Sequence, residues 1–365
     1  MKNIEIDLSE AKKLHLTGKI KEAQKIYLKL IETEKKNYII FFLLGTTYLQ
    51  QKKFEEAIKN LKISINLYPN YPNPYNNLGI AYAETSDFLE AKINYDKAIK
   101  LNKNYTDAYL NRGISLNKLK KYDEAISDIK LVLKAEPLNA KAFNSLGNVF
   151  KSTKLFDKAI KSYERAINIQ PNYLEAIRNK ALIYFEQKKY KESLICLNKI
   201  YEKDPSFKGT IESIIFNKMH IFEWSDLNKY KEEIKKKFFN NENALDPLFV
   251  HYLFDEPEMH KINAEKFSKE KFKYLKKQRL KKIKSKNKKI KIGYFSVDYH
   301  NHPVLHIMRN IFKSHDKNKF ELYGFSFGPE KKENIWRDDI KSCFNEFHLV
   351  KKLSDEEIKI LVSDL

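Results

Sequence analysis

Cysteine is nearly missing from this chain. Two residues, Cys196 and Cys343, stand far apart in 365, which argues against a disulfide framework and fits a reducing compartment. Neither has a ligand-like neighbour, so both read as apolar fillers. Long apolar runs are missing too. The most apolar run, residues 38–49, is 12 residues long and contains Gly45, Thr46 and Thr47, against the roughly 20 that a membrane-spanning helix needs. Residues 1–10 alternate charged and single apolar residues and hold no apolar core of a secretory leader. The expectation is a soluble, cytoplasmic protein with no transmembrane segment.

Charge of both signs is plentiful, at 32% of residues beside 42% hydrophobic, with a net of +21. The excess is local. Residues 261–291 hold 15 Lys or Arg against Glu265 and Glu270, a net of +13. Ala264, Phe267, Lys271 and Tyr274 give a partial helical stripe there, with few aromatics interleaved for base stacking. A solvated helix and linker is the reading taken over a nucleic-acid or anionic-membrane patch.

The chain repeats itself. Leu43-Leu44-Gly45, Asn77-Leu78-Gly79, Asn111-Arg112-Gly113, Ser145-Leu146-Gly147 and Asn179-Lys180-Ala181 succeed one another every 34 residues without a gap. Small residues keep the same period at Ala23, Ala57, Ala91, Ala125, Ala159 and Ser193. Large apolar ones do so at Tyr27, Leu61, Tyr95, Ile129, Tyr163 and Leu197, and again at Leu14, Tyr48, Tyr82, Leu116, Phe150 and Tyr184. Pro69, Pro137, Pro171 and Pro205 close units, with Lys35 and Lys103 in the other two. Small residues let two helices approach, large ones fill between hairpins, and proline restarts the chain. One hairpin cannot cover its own apolar face, so stacking makes the core. Over residues 4–207 this pattern resembles the tetratricopeptide-repeat family, with six helical hairpins and a 34-residue period. The resemblance implies a superhelix whose first helices line a concave face. Asn77, Asn111, Ser145 and Asn179 share one position on it. Carboxamides at regular spacing suit an extended peptide; the competing reading is that Asn is common here and tolerated on a solvated face.

Residues 208–287 lose the period and read as a helical cap and basic connector, with Asp226 a candidate N-cap. Then the texture changes. Residues 290–297 and 320–327 are β-prone, 302–315 and 335–343 helical, 344–350 a third strand, and Ser354 to Glu357 a capping box opening a last helix. Alternating strand and helix predicts a doubly wound parallel sheet, which binds ligands at the carboxyl ends of its strands. Ser296, Asp298, Asn301 and His302 lie at such an end.

Residues 290–329 carry a second resemblance. Gly293-Tyr294, Ser296, Asp298, Asn301-His302-Pro303, His306, His315-Asp316, Phe320-Glu321 and Gly328-Pro329 are similar to the opening of the catalytic domain in the O-linked N-acetylglucosamine transferase family. Tyr299 stands where that family has Phe. The family also carries a tetratricopeptide array in front of this domain. What the resemblance implies is a mainly α chain: a tetratricopeptide solenoid followed, at 288–365, by the start of a GT-B-like α/β lobe. It implies inverting transfer of a sugar from a UDP donor, UDP-N-acetylglucosamine or a related UDP-sugar, to a Ser or Thr hydroxyl of a protein held by the array, with no metal. His302 is the candidate catalytic residue, as acid-base group or hydrogen-bond donor. Asp298, Asn301 and His306 share its turn. Only the first lobe is present in 365 residues, so this chain alone is expected to be inactive, as a fragment, a truncation or half of a split gene. The alternative is a non-catalytic peptide-binding adaptor. The sugar, the acceptor protein and the oligomeric state stay open.

Overall fold

A computed structural model describes residues 2–239, 245, 247–271, 289–328, 335–351, 353 and 355–364. The chain divides into two compact units, Met1–Lys273 and Tyr274–Leu365. Most of the basic connector, Pro329 and the Ser354 of the expected capping box lie outside the described residues.

The first unit opens with six helical hairpins. They are α1 (Lys2–Leu16) with α2 (Ile20–Thr33), α3 (Tyr38–Gln50) with α4 (Phe54–Leu67), and α5 (Pro72–Glu84) with α6 (Phe88–Leu101). There follow α7 (Thr106–Lys118) with α8 (Tyr122–Ala135), α9 (Ala140–Ser152) with α10 (Phe156–Ile169), and α11 (Leu174–Glu186) with α12 (Tyr190–Lys203). Consecutive first helices touch one another directly from α3 to α11, which sets them on the inner side of the stack.

Each turn inside a hairpin is the same. Gly18, Lys52, Ser86, Lys120, Lys154 and Lys188 all take φ between 58° and 79°. The next backbone N–H then returns to the carbonyl five residues back: Lys53 to Tyr48 at 2.9 Å, and Asp87 to Tyr82, Lys121 to Leu116, Leu155 to Phe150 and Lys189 to Tyr184 at 2.8 Å. This is a Schellman ending, which frees the chain to reverse at once. Five of the six residues bear a side chain there, against a left-handed penalty of roughly 1–2 kcal/mol. The series outlasts the sequence period. Phe222, 34 residues after Lys188, has φ 57°, and Glu223 N–H returns to Lys218 at 2.9 Å. α13 (Thr210–His220) therefore keeps the register of a first helix, although Ile215 fills the Gly/Ala column.

The glycine column has a measurable partner. A Cβ on Gly79 would stand 2.5 Å from the Tyr95 ring and one on Gly147 2.4 Å from the Tyr163 ring. On Gly45 and Gly113 it would meet Leu61 at 2.8 Å and Ile129 at 3.0 Å. Tyr163 is fully buried and its hydroxyl donates to Asn148 Oδ1 at 2.8 Å, so the ring has nowhere to go. Where the small column holds Ala181, the facing residue is Leu197.

Arg112 departs from the Leu44, Leu78, Leu146 column. Its guanidinium donates to both oxygens of Asp128 at 2.7 Å and to Asp96 at 2.6 Å, joining α8 to α6. The Asp128 hydrogen bonds, helped by Asp96, hold it charged above its usual range.

α13, α14 (Leu227–Phe239), α15 (Pro247–Leu253) and α16 (Pro257–Lys271) close the array. Ile177, Leu197 and Ile200 from the last hairpin share one core with Ile214, Ile234 and Phe249. Apolar side chains at the end of the stack are thereby kept from water.

The second unit is a three-stranded parallel sheet of order β1 (Ile290–Ser296), β2 (Phe320–Ser326), β3 (Glu346–Leu349). α17 (Pro303–Ser314) and α18 (Ile335–Lys341) connect the strands and α19 (Asp355–Asp364) follows. Leu305, Phe312 and Ile340 pack with Leu322 on one face, while Ile358 and Leu361 of α19 pack with Tyr323 and Phe325 on the other. Helices on both faces make this the doubly wound pattern. Phe295, Phe325 and His348 sit in register across the three strands and stack, with centroids 4.3 Å and 5.3 Å apart.

Gly147→Ala tests the glycine slot. Overpacking against Tyr163 is expected to lower unfolding stability by about 1–3 kcal/mol, outweighing the roughly 1 kcal/mol that alanine adds to a helix. In a Tyr163→Leu background the same substitution should cost less, as Ala181 beside Leu197 implies. Equal costs by urea unfolding in both backgrounds would contradict the slot.

Candidate functional site

Two regions carry the expected residues. On the first-helix face, the structure finds the asparagines joining hairpins. Asn111 Nδ2 donates to Asn76 Oδ1 at 3.2 Å, and Asn179 Nδ2 to Asn144 Oδ1 at 3.0 Å. Asn77 Nδ2 donates to Thr46 Oγ1 at 3.0 Å. The acceptors Asn76 and Asn144 are themselves buried. One donor of each amide is thus engaged with the preceding hairpin, and Asn77, Asn111 and Asn179 stay half-buried. Ser145 is buried at 5% exposure and presents little surface to a ligand. The column Asn76 and Asn144, one residue ahead of the Asn line, escaped the sequence reading; its signal was the doublet Asn76-Asn77.

The strand-end loop lies at the carboxyl end of β1, where parallel sheets place their ligands. Asp298 N–H donates to Ser296 Oγ at 3.0 Å, turning the chain as it leaves the strand. Tyr299, in place of Phe, is 1% exposed, and its hydroxyl donates to the Tyr294 carbonyl at 3.0 Å. Burial pushes that phenol's pKa up. Buried Arg337 donates Nε–H to the Tyr299 carbonyl at 3.2 Å, pinning the loop from α18. Gly328 is required by the neighbouring loop: a Cβ there would stand 2.4 Å from the Val297 carbonyl oxygen.

His302 caps α17. Its Nδ1 accepts Val304 N–H at 3.2 Å, and Pro303 opens the helix where no donor is needed. Asp298 Oδ2 is 3.8 Å from the same nitrogen. With Nδ1 an acceptor, the neutral imidazole carries its proton on Nε2, so the group offers a donor there. The ring stacks on His300 with centroids 5.6 Å apart. Asn301 Oδ1 lies 3.0 Å from His306 Nε2, a pairing across the first turn of α17. The structure thus gathers Asp298, Asn301, His302 and His306 in one turn. Among the described residues, no three His, Cys, Asp or Glu side chains gather as metal ligands.

Comparison with known proteins bears on both regions. Residues 258–357 match the model of glycosyl transferase family 41. The tetratricopeptide repeat matches over 45–86, 72–105, 94–127 and 140–173. The chain therefore joins tetratricopeptide repeats to a family 41-like segment. A curated relative, the probable UDP-N-acetylglucosamine–peptide N-acetylglucosaminyltransferase SEC of Arabidopsis thaliana, is 29% identical over 76 residues. That match spans 21% of this chain and 8% of the relative. Among solved structures, a tetratricopeptide repeat protein from Parabacteroides merdae is 16% identical with a TM-score of 0.57, covering 72% of this chain and 100% of that one. The APC/C hetero-tetramer Cut9-Hcn1 is 16% identical with a TM-score of 0.53, over 59% of this chain and 42% of that one. These two likenesses show the solenoid fold alone.

Two His302 substitutions separate its cap from its chemistry. His302→Asn keeps an N-cap acceptor and should leave unfolding of the second unit within about 0.5 kcal/mol of the parent. His302→Ala should lose about 0.5–2 kcal/mol. Equal stability of the two variants would mean that Nδ1 does not cap α17.

Proposed function

We propose that this chain supplies the acceptor-holding array and part of the first catalytic lobe of a protein O-glycosyltransferase. The observation that carries the reading is the family 41 match over 258–357, with Asp298, Asn301, His302 and His306 collected at the carboxyl end of β1. Tetratricopeptide repeats ahead of that segment support a role for the first-helix face in holding an extended polypeptide.

In the reaction so proposed, a Ser or Thr oxygen bonds to the anomeric carbon, the bond from that carbon to the UDP oxygen breaks, and configuration inverts. UDP-N-acetylglucosamine is the donor we favour and no metal takes part. The hydroxyl proton leaves to a base. His302, with Nδ1 occupied by the α17 cap, is assigned to hydrogen-bond donation from Nε2, where it orients an acceptor or donor oxygen. Asp298 Oδ2 stands 3.8 Å from the capped nitrogen of that ring. No helix among the described residues is long and apolar enough to cross a membrane, and we place the activity in the cytoplasm.

The adaptor reading shares the array and drops the transfer. The inter-hairpin amide bonds serve the scaffold under either reading. Radiolabelled UDP-N-acetylglucosamine given to the native protein isolated from its source separates them. Label on Ser or Thr of a protein that the array binds is the expected result. Binding of that protein with no label transferred from any UDP-sugar would leave the adaptor.

A further inference from the structure

Arg337, on α18, is almost out of water, at 4% exposure. It shares its helix face with Ile340, three residues on, which is fully buried among Tyr299, Leu322 and Phe344. Taking a guanidinium out of water is costly, and leucine or methionine would fill the same space without that cost. What the guanidinium provides and an apolar side chain would not is its hydrogen bond. Nε–H donates to the Tyr299 carbonyl at 3.2 Å, and bonds from a charged donor are the stronger kind.

That carbonyl belongs to the peptide between Tyr299 and His300, which lies past the end of β1 and before α17. The other side of the same peptide is bonded too: His300 N–H donates to the Asp298 carbonyl at 2.7 Å. With its oxygen and its N–H both held, the peptide plane is fixed, and the backbone entering His300 with it. The His300 ring stacks on His302, with centroids 5.6 Å apart and planes 17° from parallel. His302 is held from its other side by Val304 N–H, which reaches Nδ1 at 3.2 Å. Its Nε2 takes part in neither contact, and the side chain stays 41% exposed.

α18 is a frame for both neighbours of His302. Arg337 ties it to the loop before His302, and Arg309 of α17 ties it to the helix that His302 caps, donating Nη2–H to Asp339 at 2.9 Å. The imidazole is thereby placed by contacts behind it rather than by its own side-chain torsions. Such placement matters to chemistry, since a displacement of about 1 Å from a remote change can cost roughly 100-fold in rate.

We propose that Arg337 is a positioning residue for sugar transfer: through the Tyr299–His300 peptide and the His300 ring, it holds His302 where Nε2–H meets a reacting oxygen. The proposal rests on the transferase reading and on the donor role given to His302 there.

A double-mutant cycle in the native protein tests it. Arg337→Met should lower kcat on the order of tenfold to 100-fold and leave KM for UDP-N-acetylglucosamine and for the acceptor unchanged. His302→Ser still caps α17 but has no Nε2. In that background Arg337→Met should change kcat by less than about twofold, because a residue that acts through another has no effect once the other is gone. Arg337→Lys keeps a charged donor and should recover part of the loss; it carries the same comparison where the methionine variant does not fold. Nitrogen-15 shifts of the His302 imidazole read the tie without turnover. They should show Nε2–H in the parent and averaging of the two ring nitrogens in Arg337→Met. Equal loss of kcat in both backgrounds, or no loss in either, would make Arg337 a structural tie and overturn the proposal. A parent that transfers no sugar would remove the transferase reading itself. The imidazole shifts then decide whether Arg337 holds His302, and identical shifts in the parent and Arg337→Met would overturn that.

Discussion

A missing side chain sets the spacing of the whole array. At Gly79 and Gly147 the backbone of a first helix presses on the ring of Tyr95 or Tyr163, at distances that admit no Cβ. That contact fixes how near the two helices of a hairpin lie. The left-handed residue of each turn fixes where the chain reverses. With both repeated every 34 residues, all hairpins have one shape, and stacking them places equivalent positions in line. The amide bonds from Asn111 to Asn76 and from Asn179 to Asn144 follow from that alignment, because donor and acceptor sit 35 residues apart, one more than the period.

The alignment of side chains ends after α12. At α13 the backbone keeps the register through Phe222, but the side chains change: Ser213 for Asn179, Ile215 for Ala181, Asn217 for Ile183. The inter-hairpin amide bond is lost, and the Ser213 hydroxyl turns back to its own helix. In the second unit, a sheet with helices on both faces brings the β1 loop to the end where such sheets bind ligands. There Tyr299, Arg337 and Gly328 hold the backbone still, and His302 and Asp298 stand at the surface of that loop.

Much of the solenoid was legible because packing dictates residue size at fixed intervals. Glycine, alanine and large apolar columns are visible without any structure. The turn column was not, since four of its six residues are lysine, beside Gly18 and Ser86, and lysine does not signal a left-handed turn. For the same reason α13 looked aperiodic: backbone geometry carried on where the marker residues stopped. The strands were placed to within two residues, as their apolar runs and flanking turns suggest. The four residues of the strand-end turn lie close in sequence and so fell together. The tautomer of His302 was not legible, because it depends on Val304 N–H. Nor was the ion-pair role of Arg112, whose partners Asp96 and Asp128 lie 16 residues to either side.

The proposed division of labour gives the acceptor to the first-helix face and the transfer to the strand-end loop. Steady-state kinetics of sugar transfer test it most directly, in the native protein carrying Leu182→Asp, at a position 37% exposed on α11 one turn after Asn179. Removing binding that is equal in the ground and transition states raises KM and leaves kcat unchanged. The account predicts a raised KM for a folded protein acceptor, with kcat and the turnover of a short Ser or Thr peptide unaltered. A fall in kcat for both acceptors, or no change for either, would contradict it.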